Sequence, residues 1–176
     1  MKSIKRGFTI LEFIVIMGII STLSVVLLGI QQREEKKMKL GKTAFTFLQD
    51  VREVQEMAMS AETADCGENP ASYSFGVYLN KTLMPSSYLL FVDCDGDRQK
   101  SAEDTVIREV QIKKGVNIFS ISPSPLSVVF SPPDPLTFIN GSEEATEAQI
   151  IFSLAGDSTN RRILKINTAG RIEMSK

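Results

Sequence analysis

Few residues in this chain could do chemistry, and most of them are carboxylates. The 176 residues include no histidine, which excludes Ser-His-Asp and Cys-His nucleophile systems and every zinc site built with histidine. Two cysteines are too few for a four-thiolate zinc site. The 20 basic and 21 acidic residues nearly balance, so no strong overall field favours nucleic acid as an obligatory partner. An enzyme would have to work with carboxylates alone, and a protein without catalytic activity is the better interpretation.

Four acids have the spacing of a calcium-binding loop. They occupy positions 1, 3, 5 and 12 of an EF-hand-like pattern and are Asp93, Asp95, Asp97 and Asp104. Carboxylate oxygens at these offsets could wrap calcium. Arg98 stands where the pattern requires glycine, however, and Asp95-Gly96 is also an ordinary hairpin signal. The sequence leaves calcium binding and a solvated turn open, and it favours the turn without a cofactor.

Cys66 and Cys94 are the only cysteines and lie 28 positions apart. An even cysteine count is typical of a disulfide when the domain is exported. Closing a loop of this size would stabilise the fold by about 3–4 kcal/mol on the entropy model. Two free buried thiols are the alternative. A bond would link the end of the N-terminal helix to the Asp-rich segment.

The last part of the chain is locally basic, with Arg161, Arg162, Lys165, Arg171 and Lys176. Summed positive charge is what binds phosphate, so these residues are candidates for contact with nucleic acid. A solvated charged face is the alternative, and we favour it.

An apolar helix is the first element that must position these residues. From Phe13 to Ile30 there are 18 residues without a charge, and extending back to Phe8 adds only Glu12. About 20 apolar residues span a bilayer as a helix. A secretory signal peptide has a shorter apolar core and a small-residue cleavage site, which is not found after Ile30. In a plain anchor, Glu12 would cost about 2.5–3.5 kcal/mol, so its charge requires a partner.

Residues 5–12, with the sequence Lys-Arg-Gly-Phe-Thr-Ile-Leu-Glu, resemble the processing signal of type IV prepilins and pseudopilins. The resemblance implies that prepilin peptidase cleaves between Gly7 and Phe8 on the cytoplasmic side and N-methylates Phe8. Cleavage creates a positively charged amino group at the tip of the helix. Glu12 of one subunit can then meet the new terminus of a neighbouring pilin, so this residue is predicted to set the register of assembly.

The membrane topology follows from this signal. Counting Lys and Arg on the two flanks of the apolar stretch does not place the N-terminus inside. The peptidase signal is read in the cytoplasm, however, and the cysteines favour an oxidising exterior. We therefore expect a single-pass protein of the bacterial inner membrane, with its N-terminus cytoplasmic and its globular domain periplasmic before it enters a pilus or pseudopilus.

The rest of the chain divides into a long helix and a β domain. No proline occurs before Pro70, so a continuous helix can run from Phe8 to about Glu62. Its second half carries an apolar stripe at spacings of three and four, namely Phe45, Leu48, Val51, Val54, Met57, Ala58 and Ala61. Eight β-type segments follow, at 73–79, 88–94, 105–112, 116–121, 126–130, 148–154, 163–167 and 171–174. The predicted parts are a leader (1–7), a transmembrane half-helix (8–30), an amphipathic half-helix (31–62) and a mostly antiparallel β domain (63–176).

Later motifs narrow the resemblance. The Asp-rich segment 91–108, Phe130-Ser131-Pro132 and the closing segment 166–172 are similar to signatures of the GspH/FimT family. Membership implies an α+β, pilin-like fold with the long helix packed on a β-sandwich-like domain. It also implies a minor pseudopilin of a bacterial type II secretion system, or alternatively a FimT-like minor pilin of a type IV pilus involved in assembly or DNA uptake.

FimT-type members are associated with DNA through a C-terminal Gly-Arg-x-Arg element. The corresponding stretch here is Gly170-Arg171-Ile172-Glu173, in which Glu replaces the second Arg. This replacement removes one positive charge and adds a negative one, and both changes weaken phosphate binding. The sequence therefore disfavours nucleic acid as a partner and favours prepilin peptidase, other pilins and the membrane.

Overall fold

A computed structural model describes residues 9–60, 63–67, 69–72, 74–132, 136–144 and 147–175. Within these residues the chain forms one helix, α1 (Ile10–Met59), followed by strands only. The strands are β1 (Ala64–Cys66), β2 (Asn69–Ser72), β3 (Phe75–Leu79), β4 (Ser87–Val92), β5 (Thr105–Gln111), β6 (Val116–Ser122), β7 (Leu126–Ser131), β8 (Leu136–Ile139), β9 (Glu147–Leu154), β10 (Asp157–Asn167) and β11 (Ile172–Ser175).

Thr9 caps the start of α1. Its Oγ1 accepts a hydrogen bond from the backbone N–H of Glu12 at 3.3 Å, and the pair has the Thr-x-x-Glu spacing of a capping box. The acidic residue in the first turn also complements the positive end of the helix dipole. The helix begins at Ile10 because Thr9 has this cap role, and the predicted start at Phe8 lies outside the described residues.

The chain divides into two compact units, Met1–Lys36 and Lys37–Lys176. In the first unit, α1 includes an 18-residue window with a mean hydropathy of 2.7, none of it buried. This segment is long and apolar enough to cross a membrane.

In the second unit, one face of α1 is buried against the sheets. Its buried apolar residues recur at helical spacing and are Leu40, Ala44, Phe47, Leu48, Val51, Val54 and Ala58. Phe45 was predicted to belong to this stripe but is 49% exposed, because the buried face is centred on its neighbours Ala44 and Leu48. Met57 is partly buried, and Ala61 lies outside the described residues.

The strands form two main antiparallel sheets and a small two-stranded ribbon. The sheet orders are β5-β4-β3-β7-β8, β11-β10-β9-β6 and β1-β2. Apolar residues from α1 and from both main sheets share one core, in which the Phe47 ring meets Tyr88 of the first sheet at 4.9 Å and Phe152 of the second at 5.6 Å. The arrangement is the α+β fold that was predicted, with a long helix packed on antiparallel sheets.

Three strands were not predicted. The ribbon strands β1 and β2 are short, and β8 has only four residues and lies beside a proline-rich segment, so none carries the alternating pattern that identifies a strand in a sequence.

Candidate functional site

The residues predicted to be processed and to direct assembly lie at the N-terminus. Gly7 and Phe8 are outside the described residues. Glu12 is exposed in the first turn of α1, beside Ile10 and Leu11, which are 82% and 73% exposed. A carboxylate surrounded by exposed apolar side chains is costly in a membrane unless a positive group meets it.

Cys66 and Cys94 are joined in a disulfide, with their Cα atoms 5.6 Å apart. Both residues are buried. The bond connects β1, which follows the helix, to the residue two positions after the end of β4. It therefore links the exit of the helix covalently to the start of the Asp-rich loop.

The Asp-rich loop, residues 93–104, groups three of the four predicted ligands. Carboxylate oxygens of Asp93, Asp95 and Asp97 lie within 4.8 Å of one another. Asp93 is buried, whereas the other two are exposed. Asp104 is not part of this group within the described residues.

Backbone hydrogen bonds explain the separation of Asp104 from the other acids. Its two oxygens accept hydrogen bonds from the N–H groups of Cys94 at 3.0 Å and Ser101 at 2.6 Å. The two oxygens of Asp93 similarly accept from Gly96 at 2.9 Å and Arg98 at 3.2 Å. The carboxylates thus hold the turn closed, as short acidic side chains do in Asx-turns.

These hydrogen bonds affect how many carboxylate oxygens the loop can offer to calcium. Asp95 and Asp97 are exposed, as a site for a hard cation would allow, but Oδ1 of each already accepts a backbone hydrogen bond, from Asp97 and Gln99 respectively. Both oxygens of Asp93 and both of Asp104 are likewise hydrogen-bonded to backbone. Arg98, at the glycine position of the calcium pattern, takes a φ of 64°, which is the left-handed conformation that glycine adopts most easily. Calcium binding stays a prediction.

Asp93 makes stability depend on pH. Burial, a hydrogen bond shared with Asp95 and the like charge of Asp104 raise its pKa from 3.8 to about 6, against the lowering effect of the Gly96 N–H. The folded state therefore holds an extra proton between about pH 4 and pH 6. The stability that this proton supplies is complete below pH 4 and is lost as the pH rises through 6.

We expect the free energy of unfolding of the full chain in detergent to fall by roughly 2–3 kcal/mol between pH 4 and pH 7 because of Asp93. Asp93→Asn keeps an acceptor for the turn but cannot titrate, so its profile should be flatter by that amount. Urea unfolding at several pH values measures both. Parallel profiles for the two proteins would contradict the assignment.

The same loop covers a second, smaller apolar cluster on the outer face of the first sheet. The cluster consists of Phe91, Val129 and Phe138, all fully buried. The Arg98 guanidinium lies 4.0 Å from the centre of the Phe138 ring, which is cation–π distance. Gly76, on the neighbouring strand β3, leaves room for this cluster, since a Cβ there would lie 2.6 Å from the Phe91 ring.

A polar network that the sequence did not predict links α1 to the first sheet, with two buried members and two that are half exposed. The Tyr88 hydroxyl donates to Oδ2 of Asp50, and Nη2 of Arg108 donates to Asp50 Oδ1 at 3.1 Å and to Glu53 Oε2 at 2.8 Å. Burial and the Asp50 hydrogen bond raise the pKa of the Tyr88 phenol. Asp50 is almost fully buried, so it depends on these donors. The signal in the sequence was an acid, Asp50, at a position that falls on the buried face of the helix.

Comparison with known proteins supports the fold. No family model matches the sequence, and no curated protein matches it. Two crystal forms of the Pseudomonas aeruginosa type IV minor pilin FimU are similar in structure, with TM-scores of 0.54 and 0.53 and 14% identity. The similarity covers 78% of this chain and 88% and 93% of the FimU chains.

The fold is pilin-like.

The pilin-like domain separates the three arginines proposed for nucleic acid. Arg161 lies over the Phe119 ring at 4.0 Å, and Arg162 pairs across the sheet with the core residue Phe152. Arg171 follows the other end of β10, roughly 17–20 Å from Arg161 at about 3.4 Å per residue, and pairs with Glu173 at 2.5 Å. The replacement noted in the sequence therefore neutralises Arg171 directly, and the three residues do not form one patch.

Proposed function

We propose that this protein is a minor pseudopilin of the GspH/FimT kind, a non-enzymatic structural subunit of a type II secretion pseudopilus. One observation carries the proposal: the apolar first part of α1, none of it buried, has a single carboxylate in its first turn and precedes a pilin-like β domain. An exposed apolar surface of this size requires lipid or other subunits around it.

The proposed mechanism begins in the inner membrane. The chain is inserted with its N-terminus in the cytoplasm, and prepilin peptidase removes residues 1–7 and methylates Phe8. The helix then leaves the lipid to pack among other pilin helices, where the Glu12 carboxylate meets the new terminal amine of a neighbour. Two charges that are costly in an apolar bundle neutralise each other only in the correct axial register.

A minor pilin of a type IV pilus is the second candidate, and the fold similarity to FimU favours it. The DNA-uptake form of this candidate requires a phosphate-binding surface. Salt-dependent retardation of DNA by the purified chain would support it. The charge pairing of Arg171 with Glu173 argues for no retardation.

Processing is the first test of either candidate. Co-expression with a prepilin peptidase should give a protein whose intact mass lacks residues 1–7, whereas Gly7→Ala should keep them. A side chain at position 7 would obstruct the site where the peptidase approaches the backbone closely. Ser3→Ala is a matched control that changes the leader away from the cleavage site. Retention of the leader by the wild-type chain beside an active peptidase would contradict the proposal.

A further inference from the structure

Three turns of the β domain lie side by side, and we call them the basal turns: residues 80–86, 112–115 and 155–156. The Ile112 N–H donates to the Ser86 carbonyl at 2.8 Å, and the Ala155 N–H donates to the Gly115 carbonyl at 2.9 Å. Backbone hydrogen bonds thus hold the three turns together as one surface.

The basal turns are cationic and have one exposed apolar tip. Lys81, Lys113 and Lys114 are exposed, and Leu83 is 76% exposed, more than any other large apolar residue described after α1. Among the described residues of these turns and their immediate continuation, Asp157 is the single carboxylate. Exposed lysines in the same and the adjoining turn as an exposed leucine suit an interface of anionic headgroups over acyl chains.

The helix defines which end of the domain this surface occupies. Two contacts give the direction of α1 relative to β4. Phe47 contacts Tyr88 near the start of β4. Six residues later, Glu53 binds Arg108, which is paired with Leu90 further along β4. The helix and β4 therefore run in the same direction. The turn before Ser87 lies at the end of the domain from which α1 leads back towards Lys37.

Further cations lie at this end of the helix. Lys39 and Lys42 are exposed on α1, adding positive charge near the basal turns. Six residues separate Ile30, the last residue of the apolar stretch, from Lys37. Even fully extended, this connection spans only about 20–25 Å, so chain length alone keeps this end of the domain close to a membrane that the apolar stretch crosses.

We propose that the basal turns rest on anionic phospholipid headgroups of the membrane that α1 spans. Lys113 and Lys114 bind the headgroup phosphates, and Leu83 inserts between the headgroups. The Lys81 ammonium donates to the Phe119 carbonyl, so it adds positive charge to the surface and is not assigned a phosphate. The headgroup contact would hold the subunit against the bilayer before it joins a filament. The inference rests on the membrane-inserted state in the proposed function.

A single tryptophan can report the contact, because the chain has none. The full chain carrying Leu83→Trp is reconstituted into vesicles of phosphatidylcholine alone or with phosphatidylglycerol, each with brominated acyl chains. We expect bromine quenching and a blue-shifted emission of Trp at 83 in the anionic vesicles only. Leu136→Trp is the matched control. Leu136 is also exposed, but it lies on β8 at the end of the first sheet away from the basal turns. Its strand partner is Ser131. The Ser131 hydroxyl lies 2.9 Å from that of Ser74, which precedes β3, whereas the basal turn 80–86 follows β3.

Charge removal tests the lysines. Lys113→Gln with Lys114→Gln, in the Leu83→Trp chain, should weaken the contact about fivefold per lysine removed. Quenching should then fall towards the value in uncharged vesicles, and high salt should have the same effect. Lys165→Gln, on β10 in a salt bridge with Glu147 at 2.7 Å, is the control substitution and should leave the quenching unchanged.

The outcomes separate this inference from the proposed function. If the chain floats with vesicles but Trp at 83 is unquenched, or is quenched equally without anionic lipid, the headgroup contact is wrong and the membrane helix stands. A chain that fails to float with any vesicle would overturn both.

Discussion

Chains carrying Glu12→Ala should lose their leader normally and yet be absent from assembled filaments. The carboxylate lies in the exposed first turn of α1, within the apolar segment and four positions after Phe8, the first residue of the proposed mature chain. Without it, the terminal amine of the neighbouring subunit would enter an apolar bundle with no counter-charge, and breaking one half of a buried pair costs about 3–5 kcal/mol. Assembly is measured by the amount of the subunit in filaments sheared from cells. Cleavage is measured separately by the intact mass of the membrane-bound chain.

Glu35→Ala is the matched control, because it removes an exposed acid from the same helix beyond the apolar stretch. It should assemble normally. Filaments containing Glu12→Ala chains at wild-type abundance would show that Glu12 has no part in register.

Asp50→Ala should lower the free energy of unfolding of the full chain by about 3 kcal/mol. The substitution removes the acceptor of the buried Tyr88 hydroxyl and one partner of Arg108. The Tyr88 hydroxyl cannot reach water, since this residue is 2% exposed, and an unsatisfied buried donor is costly. The Arg108 side chain is 45% exposed and keeps Glu53, so its share of the loss is small. Urea unfolding in detergent micelles measures the change.

Two variants test whether the loss arises from the network. Glu53→Ala removes an acid whose side chain is 46% exposed from the same arginine and should cost no more than about 1 kcal/mol. Adding Tyr88→Phe to Asp50→Ala should recover part of the loss, because the orphaned hydroxyl is then gone. Equal losses for Asp50→Ala and Glu53→Ala would refute the role of burial.

Much of the architecture was predictable because it depends on periodicity. The absence of proline before Pro70 and the spacing of apolar residues predicted the long helix. Seven of the eight predicted strands match the observed ones to within two residues at each end, as in 116–121 against Val116–Ser122. Phe45 was misplaced because it flanks the buried stripe, and spacing of three and four alone cannot separate the edge of a stripe from its centre.

The polar contacts were not predictable in the same way. Asp50 and Arg108 are 58 positions apart, and nothing local in either segment indicates their partner. The acids of the Asp-rich loop were recognised by spacing, but the sequence could not show that Asp104 would bind the backbone N–H of Cys94 and Ser101. Backbone groups compete for carboxylates only once the turn has its three-dimensional shape.

The redox state of Cys66 and Cys94, which form a disulfide in the folded domain, would report whether a given chain has been exported. A thiol pair closes only where an oxidant is present, and on the proposed topology both residues must first be translocated, together with the 27 residues between them. On that topology, chains not yet exported would carry reduced thiols, whereas exported chains would carry the closed bond. Thiol labelling of newly made protein would thus date each molecule's export independently of leader removal at the opposite end of the apolar segment.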